Sequence, residues 1–220
     1  MRALSREPLL TDALRVLDCF DGETGYLLEQ EIAVRAQLPH EVVQVVVARL
    51  EASGIMTRSD SDVCALGLRL VSLAGQVGGL ERLRSCAQPS LIRLRDTTAE
   101  SANLVVPDGE FSICIDQVES RQPLRHTGWI GKRVPLAGTA TGAAFAGTSG
   151  AQVADGAVEP GVTAVACLVQ GAHDPRAVVG LTGPSFRLSG QVLVLARIAV
   201  ESAAQDIGER LADPHIAARP

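Results

Sequence analysis

Few side chains in this sequence have the spacing that chemistry needs. The five cysteines, Cys19, Cys64, Cys86, Cys114 and Cys167, form no CxxC pair and leave an odd count. Zinc sites need close ligand pairs and secreted disulfide frameworks favour even numbers, so reduced, mostly buried thiols are expected. A nucleophilic mechanism would have to use Cys114 or Cys167, each inside an apolar stretch, with His126 or His173 as base. No motif ties either histidine to either thiol. There is no P-loop, no GxGxxG after a strand and no metal-ligand cluster. The sequence therefore points away from an enzyme, and no cofactor, metal or catalytic residue is expected.

The remaining chemistry is recognition, and charge limits what can be recognised. Of 220 residues, 46% are apolar, 20% charged and 3% aromatic, a globular composition with a core of Val, Leu, Ala and Ile. The formal charge is −5, with Lys132 the one lysine among 20 basic residues. That balance excludes an obvious polybasic nucleic-acid or membrane-surface protein. It leaves room for a small reading head inside an acidic whole. The first 17 residues are charged throughout and hold no apolar signal core. Val134 to Ala154 carries no charge over 21 residues but is too rich in Gly, Thr and Ser to span a membrane. A soluble, cytoplasmic protein is expected.

These readers must be held by elements, and the first 75 residues supply a compact set. Leu10, Ala13, Leu14, Leu17 and Phe20 recur at helical spacing up to a stop at Asp21-Gly22. A second helix is predicted over Leu28 to Gln37, with Ile32 and Ala33 turned inward. Pro39 suits the first turn of a third, in which Val43, Val46, Val47 and Leu50 share one face. A hairpin follows, from Ile55-Met56-Thr57-Arg58 to Val63-Cys64-Ala65-Leu66. Three helices and a two-stranded wing make a winged helix-turn-helix, whose third helix would enter a DNA major groove. Its outward face is Glu41, Val42, Gln44, Val45, Ala48 and Arg49. Gln44 suits adenine, Arg49 a phosphate, and Glu41 cytosine. With His40 at the helix start and Arg58 on the wing, these are the candidate DNA contacts. Residues 1–75 nevertheless carry seven Arg against eleven acids, a net of −4, which weakens the counterion-release part of DNA affinity.

From Leu66 onward, Leu70, Leu73, Val77, Leu80 and Leu83 form a further helical stripe that Gly75, Gly78 and Gly79 weaken. A hinge and a locally broken helix end are both open there. Gln88-Pro89 is expected to open another helix, with Leu91 and Leu94 buried. After Glu100 the period changes to that of strands: Ser101–Pro107 and Phe111–Asp116 as a hairpin, then Arg133–Leu136. A short helix at Thr139–Ala146 follows, then strands Val162–Val169 and Ala177–Thr182 around a turn at Gly171–Pro175. Ser189 is expected to cap a last helix through Leu211, with Val192, Leu195, Ala199 and Ala203 along its inner side. An antiparallel sheet with helices on one face is the simplest packing.

The ordered segments ALRVLDCF, EIAVRAQLPHEVVQVVVARLEASGI, CALGLRLVSLA, CAQPSLIRLRDTTAESANLVVPDGEFSICIDQVES, GKRVPLAGTATGAAFAG, EPGVTAVACLV and AVVGLTGP resemble the IclR family of transcriptional regulators. The resemblance runs over roughly residues 5 to 212. It implies an α+β chain: a winged helix-turn-helix at 1–66, a linker helix at 67–86 and a GAF- or profilin-like antiparallel-sheet sensor at 87–220. It also implies a homodimer or dimer of dimers that binds a double-stranded DNA operator, most often as a repressor, under control of a small-molecule effector. No membrane partner is implied.

Carried over by position, the resemblance places the effector at Thr139, Ala140, Thr141 and Gly142, and at Asp155, Ala164, Gly180 and Thr182. A carboxylate would suit backbone N–H groups and threonine hydroxyls there, whereas the plainer alternative is that Thr139 only caps its helix. The chain departs from the family in three places. Val42 and Val45 stand where recognition helices usually carry a hydroxyl residue and an Arg. Ala143 replaces a usual Lys. Only Gly147–Val158 bridges a span that is normally longer and helical, which implies a shortened sensor whose pocket is shallow, open or completed by another subunit. The acidic head and shortened sensor leave a second role open: a degenerate member with weak or no DNA binding that acts through protein contacts.

Overall fold

Val43, Val46, Val47 and Leu50 are all buried on one face of a helix, and the first unit assembles around them. The computed structural model describes residues 6–20, 25–171 and 176–213. Its chain divides into two compact units between Val77 and Gly78. The first comprises α1 (Arg6–Leu17), β1 (Leu27–Leu28), α2 (Glu29–Ala36), α3 (His40–Ala52), β2 (Met56–Arg58), β3 (Val63–Leu66) and α4 (Arg69–Ala74). Val16, Ile32, Met56 and Cys64 complete its core with the α3 valines. The wing is a three-stranded sheet, because Leu27 and Leu28 pair antiparallel with Cys64 and Val63. Two residues are too short a run to show a strand period.

The phase of α1 differs from the sequence reading. Leu10 and Leu14 are 68% and 54% exposed, while Leu9, Ala13, Val16 and Leu17 face the core. Val42 also turns half inward against that core. The predicted helix stop at Asp21-Gly22 lies outside the described residues.

The expected linker helix is two helices. α4 ends at Gly75 and buries no side chain, and α5 (Leu80–Thr98) starts after Gly79, whose φ of 78° is left-handed. α5 then continues through Pro89, where the sequence predicted a new start. Pro89 lies on the exposed side, and buried Leu83, Cys86, Ala87, Leu91 and Leu94 hold the helix together across the missing N–H.

The second unit continues with β4 (Ser101–Asp108), β5 (Phe111–Val118), β6 (Arg133–Pro135), α6 (Ala140–Phe145), β7 (Gln152–Asp155), β8 (Val162–Leu168), β9 (Val178–Pro184) and α7 (Gly190–Ala212). Six strands form one antiparallel sheet in the order β6-β5-β4-β9-β8-β7. Strand alternation gives it two different faces. Ala102 and Leu104 of β4, Val165 of β8 and Val179 and Leu181 of β9 pack against α5 and α7. Ala166 and Val178 face the other way, against Ala140, Ala144 and Phe145 of α6. Helices therefore cover both faces, not one: long ones on the main core, a short one opposite.

Two details of α7 correct the sequence reading. Val192 and Leu195 are 51% and 59% exposed, and the inner stripe is Ala196, Val200, Ala203, Ala204 and Ile207. Alanines at that stripe let α7 lie close to α5, which a stripe of larger residues would prevent. Ser189 holds the N-cap position, but its hydroxyl donates to the Phe186 carbonyl instead of capping. The segment Gly147–Val158 is also not a plain bridge, since Gln152–Asp155 pairs with Ala166–Thr163 as the edge strand β7. Of the turn at Gly171–Pro175, residues 172–175, including His173, lie outside the described residues.

Candidate functional site

The sheet face turned away from α5 and α7 carries a cavity under α6. Its volume open to water centres is about 70 Å³. Thr139, Ala140, Thr141, Ala164, Gly180 and Thr182, all expected from the sequence, line it together. The other two expected residues do not. A Cβ on Gly142 would stand 1.9 Å from the Leu136 carbonyl oxygen, so glycine is needed there for α6 to pass close over that backbone. Asp155 is exposed at the end of β7, where its carboxylate accepts from the hydroxyls of Ser185 and Thr163. Those two bonds, the Ser185 one first, hold its carboxyl below the usual carboxylate range.

Thr139 is a cap. Its Oγ1 accepts from the Gly142 N–H at 3.0 Å and donates to the Leu136 carbonyl at 2.9 Å, which commits the hydroxyl to α6.

The cavity draws more of its polar character from residues that the sequence reading did not select as ligand contacts. Asn103 projects into it from β4 and is 5% exposed; its Nδ2 donates to Thr182 Oγ1 at 3.1 Å. The loop between β5 and β6 supplies His126, Trp129 and Lys132, and Glu159 joins from the turn before β8. Backbone bonds pin that loop: Ser101 Oγ donates to the His126 carbonyl at 2.8 Å, and the Trp129 N–H donates to Gln117 Oε1 at 3.2 Å. Trp129 Nε1 donates to His126 Nδ1, and the Lys132 ammonium lies 5.7 Å from the Trp129 ring centroid. Burial lowers the His126 pKa, Lys132 lowers it further, and Glu159 opposes both. Two sequence signals were available for these residues. Trp129 is the one tryptophan in the chain, and Asn103 interrupts the apolar strand ANLVV.

Cys114 also lines the cavity, but burial pushes its thiol up to about 12 and its Sγ donates to the Asp116 carbonyl. A thiol so held is a poor nucleophile at neutral pH. Cys167, likewise raised by burial, packs against the helix-side core. Among the described residues no group of three or more His, Cys, Asp or Glu is placed to hold a metal ion. Nor is any described helix long and apolar enough to cross a membrane.

In the first unit, α3 presents Glu41, Gln44, Val45, Ala48 and Arg49 to solvent. His40 and Arg58 are differently engaged. Glu29, 3% exposed in the first turn of α2, accepts from Arg58 Nη1 at 2.7 Å and lies 4.0 Å from His40 Nε2. Arg58 Nη2 also reaches Glu51 at 3.2 Å. Two carboxylates thus neutralise the wing arginine, and Arg49 remains the α3 cation with no acidic partner among the described residues.

Residues 79–152 match the model for the bacterial transcriptional regulator IclR C-terminal domain. Over that span the chain is similar to IclR-type regulators. The relatives it resembles include HTH-type transcriptional regulator KipR of Bacillus subtilis, 24% identical over 132 residues. The acetate operon repressor of Salmonella typhimurium is 25% identical over 139 residues. These matches cover 60% and 62% of this chain. The chain spans about half the length of the curated relatives it matches, 52% and 51% respectively. An IclR homolog from Microbacterium hydrocarbonoxydans, solved in complex with 4-hydroxybenzoate, shares the fold with a TM-score of 0.76 at 20% identity, covering 92% of this chain and 98% of that one. IclR of Thermotoga maritima does so at 0.68 and 20%, covering 94% and 100%.

Proposed function

We propose that this chain is a ligand-responsive DNA-binding regulator of the IclR type. α3 reads an operator, and the cavity beneath α6 receives a small organic acid that changes operator affinity. The observation that carries the reading is the cavity itself: an apolar floor with a few convergent polar groups, the usual make-up of a small-molecule site. Its open volume of about 70 Å³ corresponds to about five to seven waters at 10–15 Å³ each, which suits a molecule of roughly ten heavy atoms or fewer. Of the two charged side chains in the wall, Glu159 lies against His126, and the Lys132 ammonium is the group that would attract an anion. Linkage supplies the mechanism: a ligand that prefers one arrangement of the second unit shifts the population of DNA-competent molecules. Relatives that include an operon repressor support repression as the sense of control.

Trp129 gives a direct test, because it is the one tryptophan and lines the cavity. Titration with 4-hydroxybenzoate and other small carboxylic acids should change its fluorescence saturably for at least one acid. The same acid should shift binding to a duplex from the gene's own upstream region. A complete lack of fluorescence response and of specific duplex binding would contradict the proposal and favour a role through protein contacts.

A further inference from the structure

Asn103 has a place in this cavity that ordinary packing does not explain. It sits on β4, a central strand, paired on both sides: to Gln117 of β5 and to Gly180 of β9. Its neighbours Ala102 and Leu104 turn into the main core, so strand alternation sends its amide to the cavity face. The side chain is almost wholly buried, and Nδ2 is satisfied by Thr182 Oγ1 at 3.1 Å. Oδ1 is not. It is the one buried side-chain oxygen or nitrogen, among the described residues, that has no hydrogen-bond partner. A buried acceptor left unpaired is costly, and native structures hold few of them. The wall around it includes Val105, Ala164 and Val178, whose side chains carry no donor.

We infer that Asn103 Oδ1 is the ligand-reading acceptor of this site, and that the ligand is a small acid bearing a hydroxyl group. This rests on the cavity being the effector site. A hydroxyl supplies the missing donor without adding charge to a wall that already holds Lys132 and Glu159. Thr182 Oγ1 accepts from Nδ2 and fixes the amide in the cavity wall, with Oδ1 left unpaired. Asn103 is then a specificity residue: an acid lacking the hydroxyl still fits, but leaves the oxygen unpaired.

The test is calorimetric titration of the full chain with matched acids that differ by one hydroxyl. 4-Hydroxybenzoate against benzoate and lactate against propionate form two such pairs. On the unaltered chain the hydroxy acid of at least one pair should bind about 10- to 100-fold tighter than its partner, the range expected for pairing one buried acceptor. In Asn103→Leu that ratio should collapse to near one. Because the preference is first read on the unaltered chain, a variant that fails to fold does not remove the test. Equal affinities within both pairs, or tighter binding of the acid without the hydroxyl, would overturn the hydroxyl assignment while leaving the effector site in place. A preference that survives Asn103→Leu would overturn the role of Asn103. No binding by any of the four acids, with no saturable response of Trp129 to a broader set, would overturn the effector reading and this inference with it.

Discussion

Trp129 Nε1 donates to His126 Nδ1, while His126 Nε2 lies 3.3 Å from Glu159 Oε2. Accepting at Nδ1 fixes the neutral imidazole with its proton on Nε2, facing the carboxylate. Protonating Nδ1 would break the bond to the indole. The cavity wall is therefore built on an uncharged histidine.

That arrangement makes stability pH-dependent with a definite sign. The folded pKa of His126 lies below its ordinary value of 6.5, with burial as the largest cause. Below pH 6.5 the unfolded chain binds the proton first, so this group's contribution to stability falls as pH is lowered toward the folded pKa. Thermal unfolding from pH 8 to pH 5 should show a steeper decline for the unaltered chain than for His126→Gln. Parallel profiles would contradict the assignment.

Arg58 should act as a brace on the wing more than as a DNA contact. Arg58→Met leaves the buried Glu29 carboxylate without its cation and should destabilise the first unit by about 1–3 kcal/mol. Glu29→Gln should cost less, because Arg58 keeps Glu51 and solvent. Urea unfolding followed by circular dichroism would rank the two. The reverse order would show that Arg58 is not needed where it sits.

Thr139 should prove structural. Thr139→Ala removes the α6 cap and should cost about 1 kcal/mol. Thr141 also lines the cavity, and its hydroxyl makes no hydrogen bond among the described residues. Thr141→Val should therefore alter ligand affinity with little change in stability. Denaturation midpoints and ligand titrations on both variants separate the roles.

On α3, Arg49→Ala should reduce the slope of log affinity against log salt by about one, and Gln44→Ala should relax specificity at one base pair. Fluorescence anisotropy at several salt concentrations measures both. A slope unchanged by Arg49→Ala would remove that arginine from the phosphate contacts.

Much of this could be read from the sequence where a period is long and one-sided. The α3 stripe Val43, Val46, Val47 and Leu50 is buried as spaced, and the hairpin of β4 and β5 lies close to its predicted bounds. Failures came where size misled. Leu10, Leu14, Val192 and Leu195 look like core residues, yet smaller neighbours such as Ala13 and Ala196 occupy the inner faces. Pro89 suggests a helix start in the sequence, which does not show the packing that carries α5 past it. In the cavity, the family pattern named the walls formed by α6, β8 and β9. It could not name Asn103, His126 or Trp129, which come together only when the β5–β6 loop folds onto the sheet.

The central claim is coupling between the cavity and DNA, and one measurement addresses it directly. Duplex binding is titrated with and without an acid that saturates the Trp129 signal, for the unaltered chain and for Ala164→Phe, which fills the cavity. The account predicts that the acid changes the Kd for the upstream duplex of the unaltered chain by about 5- to 150-fold. Ala164→Phe should lose that response. An acid that saturates Trp129 while leaving the Kd for DNA unchanged would contradict it.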